Sequence, residues 1–356
     1  MQTDYKPADA IRTPFLRIDY AKLMHNLDKA QTTIKGYRAG LRPHFKAHKC
    51  LRIAELQIGV GAVGITCATL DQASLLADNG VTEILVAYPV IVDQANRTMT
   101  ERLCSERVVT LGISSTEGAR RLAEIRVGRP MKVAIEVDVG CKRTGVYPSE
   151  VAVLARTVLD LGLQLVGIFD YPGHGYMPGQ SERAARDEVQ IMSIAFEMLH
   201  NAGFENFFVS GGSTPTLNHG SAGVITDYRP GTYVFGDSQQ LALGSVAKEE
   251  IALTVEATVV EANSDRVVID AGGKALGRDS PQWLSGYGTA LESDLRVERL
   301  FDHHGVFPPI PAARVGDRMR VIPNNANSAV NQHGYFWVDM QDRRGLLRWR
   351  IDSSGR

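Results

Sequence analysis

Cysteine is scarce in this 356-residue chain. Cys50, Cys67, Cys104 and Cys141 are scattered, without paired or metal-type spacing. That pattern excludes a disulfide framework and a cysteine-based zinc module, and the four read as reduced, small apolar side chains. Long apolar runs are missing too; none approaches the ~20 residues that span a bilayer. Neither sign of charge is in excess: 39 basic and 40 acidic residues give a formal charge of −1. With no basic block, neither nucleic acid nor a membrane surface is an expected partner. The opening Met1-Gln2-Thr3-Asp4-Tyr5-Lys6 lacks the basic start and apolar core of a secretory signal, so the expected compartment is the cytoplasm. Internal repeats and low-complexity segments are absent.

What is present is the composition of an ordinary globular protein, 44% hydrophobic and 22% charged, long enough for a large barrel and a smaller domain. Between residues 41 and 240 short apolar runs alternate with amphipathic segments. The expected strands are Leu41–Phe45, Gly64–Ala68, Glu83–Tyr88, Arg107–Ile113, Met131–Asp138, Leu163–Tyr171, Asn206–Ser210 and Tyr228–Phe235. Most are apolar enough to be buried on both faces, as parallel strands are. Helical patterns run over Leu70–Asn79, Ser115–Val127 and Ser181–Ala202, each followed by a glycine (Gly80, Gly128, Gly203) suited to a C-terminal cap. Eight strands separated by helices predict an α/β fold, a (β/α)₈ TIM-like barrel over residues 21–240. Beyond it, Ile251–Glu261, Arg266–Asp270 and Arg318–Ile322 read as strands without comparable helices. Residues 241–356, joined by 1–20 through an early strand at Phe15–Asp19, form the expected β-domain.

In such barrels the chemistry gathers at the C-terminal ends of the strands. The first strand ends in Arg42-Pro43-His44-Phe45-Lys46-Ala47-His48-Lys49, where Lys46 is placed to hold an aldehyde as a Schiff base. The fifth leads to Arg143, and the sixth ends in Tyr171-Pro172-Gly173-His174. The seventh ends in Ser210-Gly211-Gly212-Ser213-Thr214, and the eighth carries Arg229-Pro230-Gly231-Thr232-Tyr233. Loops after strands seven and eight are the usual phosphate site of the fold: glycines let backbone N–H groups approach an anion, and Ser213, Thr214 and Thr232 add hydroxyls. A phosphate site and a lysine at one barrel mouth point to pyridoxal 5'-phosphate. Arg143 and Arg229 would reach its phenolic oxygen and ring nitrogen. An arginine keeps its proton, so it would leave that nitrogen unprotonated.

These stretches resemble the D-threonine aldolase/D-serine dehydratase family over nearly the whole chain. Gly64-Ile65-Thr66-Cys67-Ala68-Thr69 fits the same pattern, as do Asp270-Ala271-Gly272-Gly273-Lys274-Ala275-Leu276 and His304-Gly305. The resemblance implies an alanine-racemase-like fold and a homodimer. It implies Lys46 as the Schiff-base lysine, with Arg143, Tyr171, Gly212, Ser213, Arg229, Gly231 and Thr232 at cofactor-contacting positions. Gly211 joins them as part of the glycine pair.

One departure stands out. Members of that family usually carry Pro-Asn-His-x-Cys or Pro-Asn-His-x-Asp near the C-terminus, where His and Cys or Asp bind a divalent metal. This chain reads Pro323-Asn324-Asn325-Ala326-Asn327-Ser328. Amide oxygens are poor zinc ligands, so no metal site is expected here, and Asn325 and Asn327 become candidate substrate contacts. Histidine near the motif, His304 first and then His303 and His333, would supply acid or base chemistry. The expected activity is a pyridoxal-phosphate-dependent lyase acting on D-configured β-hydroxy amino acids, by retro-aldol cleavage or by deamination. The alternative is a racemase or epimerase with an acid/base such as Tyr287, His304 or Tyr335. A third reading, a non-catalytic cofactor-binding protein, is disfavoured by the β-domain.

Overall fold

The computed structural model describes residues 4–106, 109–125 and 127–355. The chain divides into two compact units, one of residues 30–46 and 53–231, the other of 1–29, 47–52 and 232–356.

The first unit is built on eight parallel strands: Gly40–Leu41, Ile65–Cys67, Ile84–Pro89, Val109–Ile113, Lys132–Glu136, Gln164–Phe169, Phe208–Gly211 and Asp227–Tyr228. From the second to the eighth each pairs with its sequence neighbour, and the eighth returns to the first. Closure between the first and second comes from a parallel bridge, His44 to Thr66, and from the N–H of Val63 donating to the Leu41 carbonyl at 2.8 Å. The sheet is therefore a barrel, and strands Ile65–Cys67, Val109–Ile113 and Lys132–Glu136 are almost continuously buried, as a sheet covered on both faces requires. The expected (β/α)₈ class is the observed one.

Boundaries differ where polar chain and proline intervene. The first strand stops at Leu41, and Phe45–Ala47 is a 3-10 turn rather than strand. The eighth is only Asp227–Tyr228, because Pro230 has no N–H for a ladder and residues Thr232–Val234 turn as a 3-10 helix. Arg107 and Val108 of the expected fourth strand, Arg126 of one expected helix, and Met1 to Thr3 lie outside the described residues. That helix runs only Thr116–Ala123, so Gly128 is not its cap, whereas Gly80 (φ +88°) and Gly203 (φ +86°) follow their helices in the left-handed conformation that glycine permits.

The second unit holds a ten-stranded, mainly antiparallel sheet. Phe15–Asp19 lies between Leu253–Ala262, antiparallel, and Tyr335–Asp339, parallel. Tyr5–Lys6 pairs with Leu346–Arg350, so both ends of the chain share this sheet. Its apolar centre includes Leu16, Ile18, Phe235 and Phe336, the last two rings 5.6 Å apart.

Candidate active site

Strand register assembles the barrel mouth. Glu136 pairs with Phe169, Phe169 with Ser210, and Ser210 with Asp227, so residues at or near the ends of strands five to eight form one row. Just beyond that row stand Asp170, Gly211 and Arg229.

Lys46 sits in the 3-10 turn after strand one. Its ammonium lies over the Tyr171 ring, 5.3 Å from the centroid, and the Arg143 guanidinium lies over the same ring at 4.8 Å. Tyr171 is thus an aromatic platform shared by two cations. Burial, reinforced by the positive charges of Arg143 and Arg229, pushes the Lys46 amine down to about 8. Arg143 itself is exposed, 3.6 Å from Glu136 Oε1, and lines a cleft of about 880 Å³ with Ser115, Asp138, Thr144 and Tyr147.

Arg229 is the buried cation of the set. Its Nη2 donates to the Asp170 carbonyl and its guanidinium lies 5.5 Å from the Phe169 ring centroid. Nε and Nη1 are buried and find no hydrogen-bond acceptor among the described residues. Burial lowers its pKa while Asp170, Asp227, Glu188 and Glu136 oppose the shift. Buried donors left open in a protein interior need an explanation, and a ligand acceptor is the simplest.

The glycine corner is sterically enforced. Gly212 has φ +83°, and a Cβ there would lie 2.6 Å from Tyr228 Cδ1. The N–H of Gly212 donates to Glu188 Oε1, and the N–H of Ser213 donates to Thr216 Oγ1 at 2.9 Å. Ser213 and Thr214 are buried. Gly231 directly follows Pro230, whose carbonyl accepts the N–H of His44 at 3.0 Å. Lys46 with a lowered pKa and the open donors of Arg229 suit pyridoxal phosphate, while the N–H groups of Gly212 and Ser213 at this corner are taken by Glu188 and Thr216.

The remaining sequence candidates lie in the other unit. Thr232 begins the 3-10 turn there, and its hydroxyl donates weakly to Asn327 Oδ1 at 3.5 Å. Asn325 caps helix Ala326–Val330, its Oδ1 accepting the N–H of Ser328 at 3.1 Å. One amide oxygen is thus committed to a cap and the other to a hydroxyl, a donor set that does not suit zinc. His304 is exposed on a turn, where its carbonyl accepts the N–H of Phe301. The backbone beside it would collide with a Cβ at Gly272, which explains that glycine and brings the two β-domain motifs together. His303 is exposed; His333 is hydrogen-bonded to the Ala275 carbonyl at 3.0 Å, and burial lowers its pKa. Tyr335 is exposed beneath Arg348, and Tyr287 is half-buried.

Sequence reading passed over Glu136, Asp170, Glu188 and Asp227, all buried in the barrel. Glu188 did leave a signal: it interrupts the apolar stripe Ala184, Ala185, Met192, Ala195, Leu199 of helix Ser181–Asn201 at helical spacing.

The chain is similar to known proteins over nearly its whole length. The family model for the alanine racemase N-terminal domain matches residues 18–239, and that for a putative serine dehydratase domain matches 252–338. D-threo-3-hydroxyaspartate dehydratase of Delftia sp. (strain HT23) is 29% identical, covering 88% of this chain and 90% of its own. D-threonine aldolase of Arthrobacter sp. is 28% identical over 98% of this chain and 94% of its own. Among solved structures, D-threonine aldolase from Filomicrobium marinum superposes with a TM-score of 0.88 at 26% identity, covering 99% of this chain and 98% of that one.

Proposed function

Because this chain belongs to the alanine racemase N-terminal domain family and is a lyase by its relatives, we propose that it cleaves or dehydrates D-configured β-hydroxy amino acids with pyridoxal 5'-phosphate. The observation that carries the reading is a barrel mouth that holds both Lys46, its amine depressed by burial and by the charges of Arg143 and Arg229, and the open donors of buried Arg229. Lys46 would hold the cofactor through its amine, Arg229 its ring nitrogen, Gly211, Gly212, Ser213, Gly231 and Thr232 its phosphate, and Tyr171 and Arg143 its flank. Bound there, the cofactor supplies an electron sink for bonds at the substrate's α-carbon.

The chain's own groups do the rest. With its pKa near 8, a useful fraction of Lys46 is neutral at physiological pH, so Nζ acts as nucleophile toward an aldehyde and afterwards accepts a proton from the substrate. Arg143 and Arg229 keep that amine from holding its proton. Arg229 gives a hydrogen bond and no proton, since guanidinium does not ionise at working pH. The aromatic face of Tyr171 limits water around Nζ. The resemblance alone carries Asn325 and Asn327 as substrate contacts and His304 as the candidate acid or base. Asn325 and Asn327 stand where the resembling family carries its metal-ligand pair, so the proposed reaction does not depend on a divalent metal at that position.

The test is incubation with D-threonine, D-serine and D-threo-3-hydroxyaspartate, with and without EDTA and added manganese. Glycine plus aldehyde, or keto acid plus ammonia, is expected irrespective of EDTA. Strong EDTA inhibition reversed by manganese would remove the metal-independent part. Loss of optical activity with α-proton exchange and no cleavage would replace the lyase by a racemase.

A further inference from the structure

Helix Ser181–Asn201 turns Glu188 toward the ends of strands six and seven, where it meets Asp170. Both side chains are enclosed, Asp170 at 0% and Glu188 at 1% exposure. Their oxygens converge over Gly211: a Cβ there would lie 2.5 Å from Glu188 Oε1 and 3.1 Å from Asp170 Oδ2. Glu188 Oε1 holds the N–H of Gly212. Both oxygens of Asp170 are buried, and neither receives a hydrogen bond from a donor among the described residues. Two carboxylates facing each other in a desolvated space cannot both stay ionised, and a single retained proton is the donor that Asp170 lacks.

We propose that Asp170 and Glu188 share one proton and together position the cofactor cradle. Asp170 donates its O–H to Glu188, and Glu188 fixes the corner at Gly212. The pair then carries one negative charge instead of two. That balance matters to Arg229, whose Nη2 already donates to the Asp170 backbone carbonyl. A carboxylate on Asp170 would compete for the neighbouring donors, whereas the neutral acid leaves Nε and Nη1 to a ligand. Burial first, then the mutual charge, holds the Asp170 carboxyl well above its ordinary range, and burial also raises that of Glu188. Asp170 and Glu188 are positioning residues; their role in the cradle rests on the pyridoxal-phosphate reading, while the shared proton does not.

Infrared difference spectra of the full-length protein, with pyridoxal phosphate bound and after its removal, test the proton directly. Asp170→Asn and Glu188→Gln each keep an N–H donor between the two side chains and leave a single ionised carboxylate. Subtracting either variant from the unaltered protein is expected to reveal one lost protonated-carboxyl C=O band, in both states. Bands common to all three proteins, from other buried acids, cancel. A difference spectrum without that loss for either variant would overturn the proposal. Equilibrium dialysis tests the positioning: Asp170→Asn is expected to keep pyridoxal-phosphate affinity within about threefold, and Glu188→Ala to lose roughly tenfold or more, because the corner at Gly212 then loses the side chain that anchors it. Equal losses in the two variants would refute the relay through Glu188, with far-UV circular dichroism showing that each is folded. Failure of the unaltered protein to bind pyridoxal phosphate would sink the cofactor reading instead, and the infrared result would still decide the proton.

Discussion

In the β-sheet unit, Arg17 lies between Glu256 at 3.2 Å and Asp339 at 2.7 Å, and Asp237 accepts the N–H groups of Gln240 and Ala326. In the barrel unit, Arg229, Asp170 and Glu136 keep buried polar atoms with no hydrogen-bond partner among the described residues. The first arrangement gives Arg17 and Asp237 partners within the scaffold. The second leaves donors and acceptors open in a low-dielectric space, which costs stability unless a ligand or a shared proton completes it. The contrast locates a site more sharply than the number of charges does, since both units bury carboxylates.

The contrast can be broken most forcefully at Lys46. Lys46→Ala should lower turnover by roughly 10³–10⁴-fold and abolish the visible absorbance that develops on adding pyridoxal phosphate; retained absorbance would dethrone this lysine. In the unaltered protein, the initial rate of that absorbance change should climb with pH as the amine loses its proton, then level off above about 8. A profile still rising toward 10 would mean that the amine is not depressed.

Arg229→Lys keeps the charge but loses the planar fork. It should weaken cofactor binding by about 10–100-fold, as expected for lost hydrogen bonds to a charged group, with little change in Tm. A large fall in Tm with unchanged affinity would put Arg229 in the scaffold class with Arg17.

Asp237 tests the other side. Burial raises its carboxyl from 3.8 to about 7. The folded state then binds more protons than the unfolded state between those values, so this group's contribution to stability falls as pH rises through that window, by at most about 1.4 kcal/mol per pH unit. Asp237→Asn should flatten that part of the stability curve in urea titrations from pH 4 to 7. A curve that keeps its slope would show that the acid is ionised throughout.

The smallest effect is expected at the asparagines. Asn325→Ala removes a helix cap and should cost about 1 kcal/mol. Asn327→Ala, losing a 3.5 Å contact, should cost under about 0.5 kcal/mol. Measured Tm values in the reverse order would contradict the capping assignment.

Much of the barrel was legible because burial on both faces demands apolar runs, and runs such as Val109–Ile113 and Lys132–Glu136 supply them. Gly212 was legible for a related reason: a corner with positive φ pressed against Tyr228 admits little else. The ends of strands one and eight were not, since Pro43 and Pro230 bend chain that otherwise has strand composition. Glu188 was visible only as a polar interruption in a helical stripe, with nothing to say what it faced.

By itself, then, the sequence determined the alternation of strand and helix, the lysine after strand one, the glycine corner and the two asparagines in the C-terminal motif. These are local: periodicity, turn chemistry and residue type act over a few positions. Tertiary structure alone decided that Lys46 and Arg143 share Tyr171, that Arg229 is buried with open donors, and that Asp170 and Glu188 converge over Gly211. Those facts depend on strand register and on which helix face turns inward, and desolvation acts on groups brought together from distant parts of the chain.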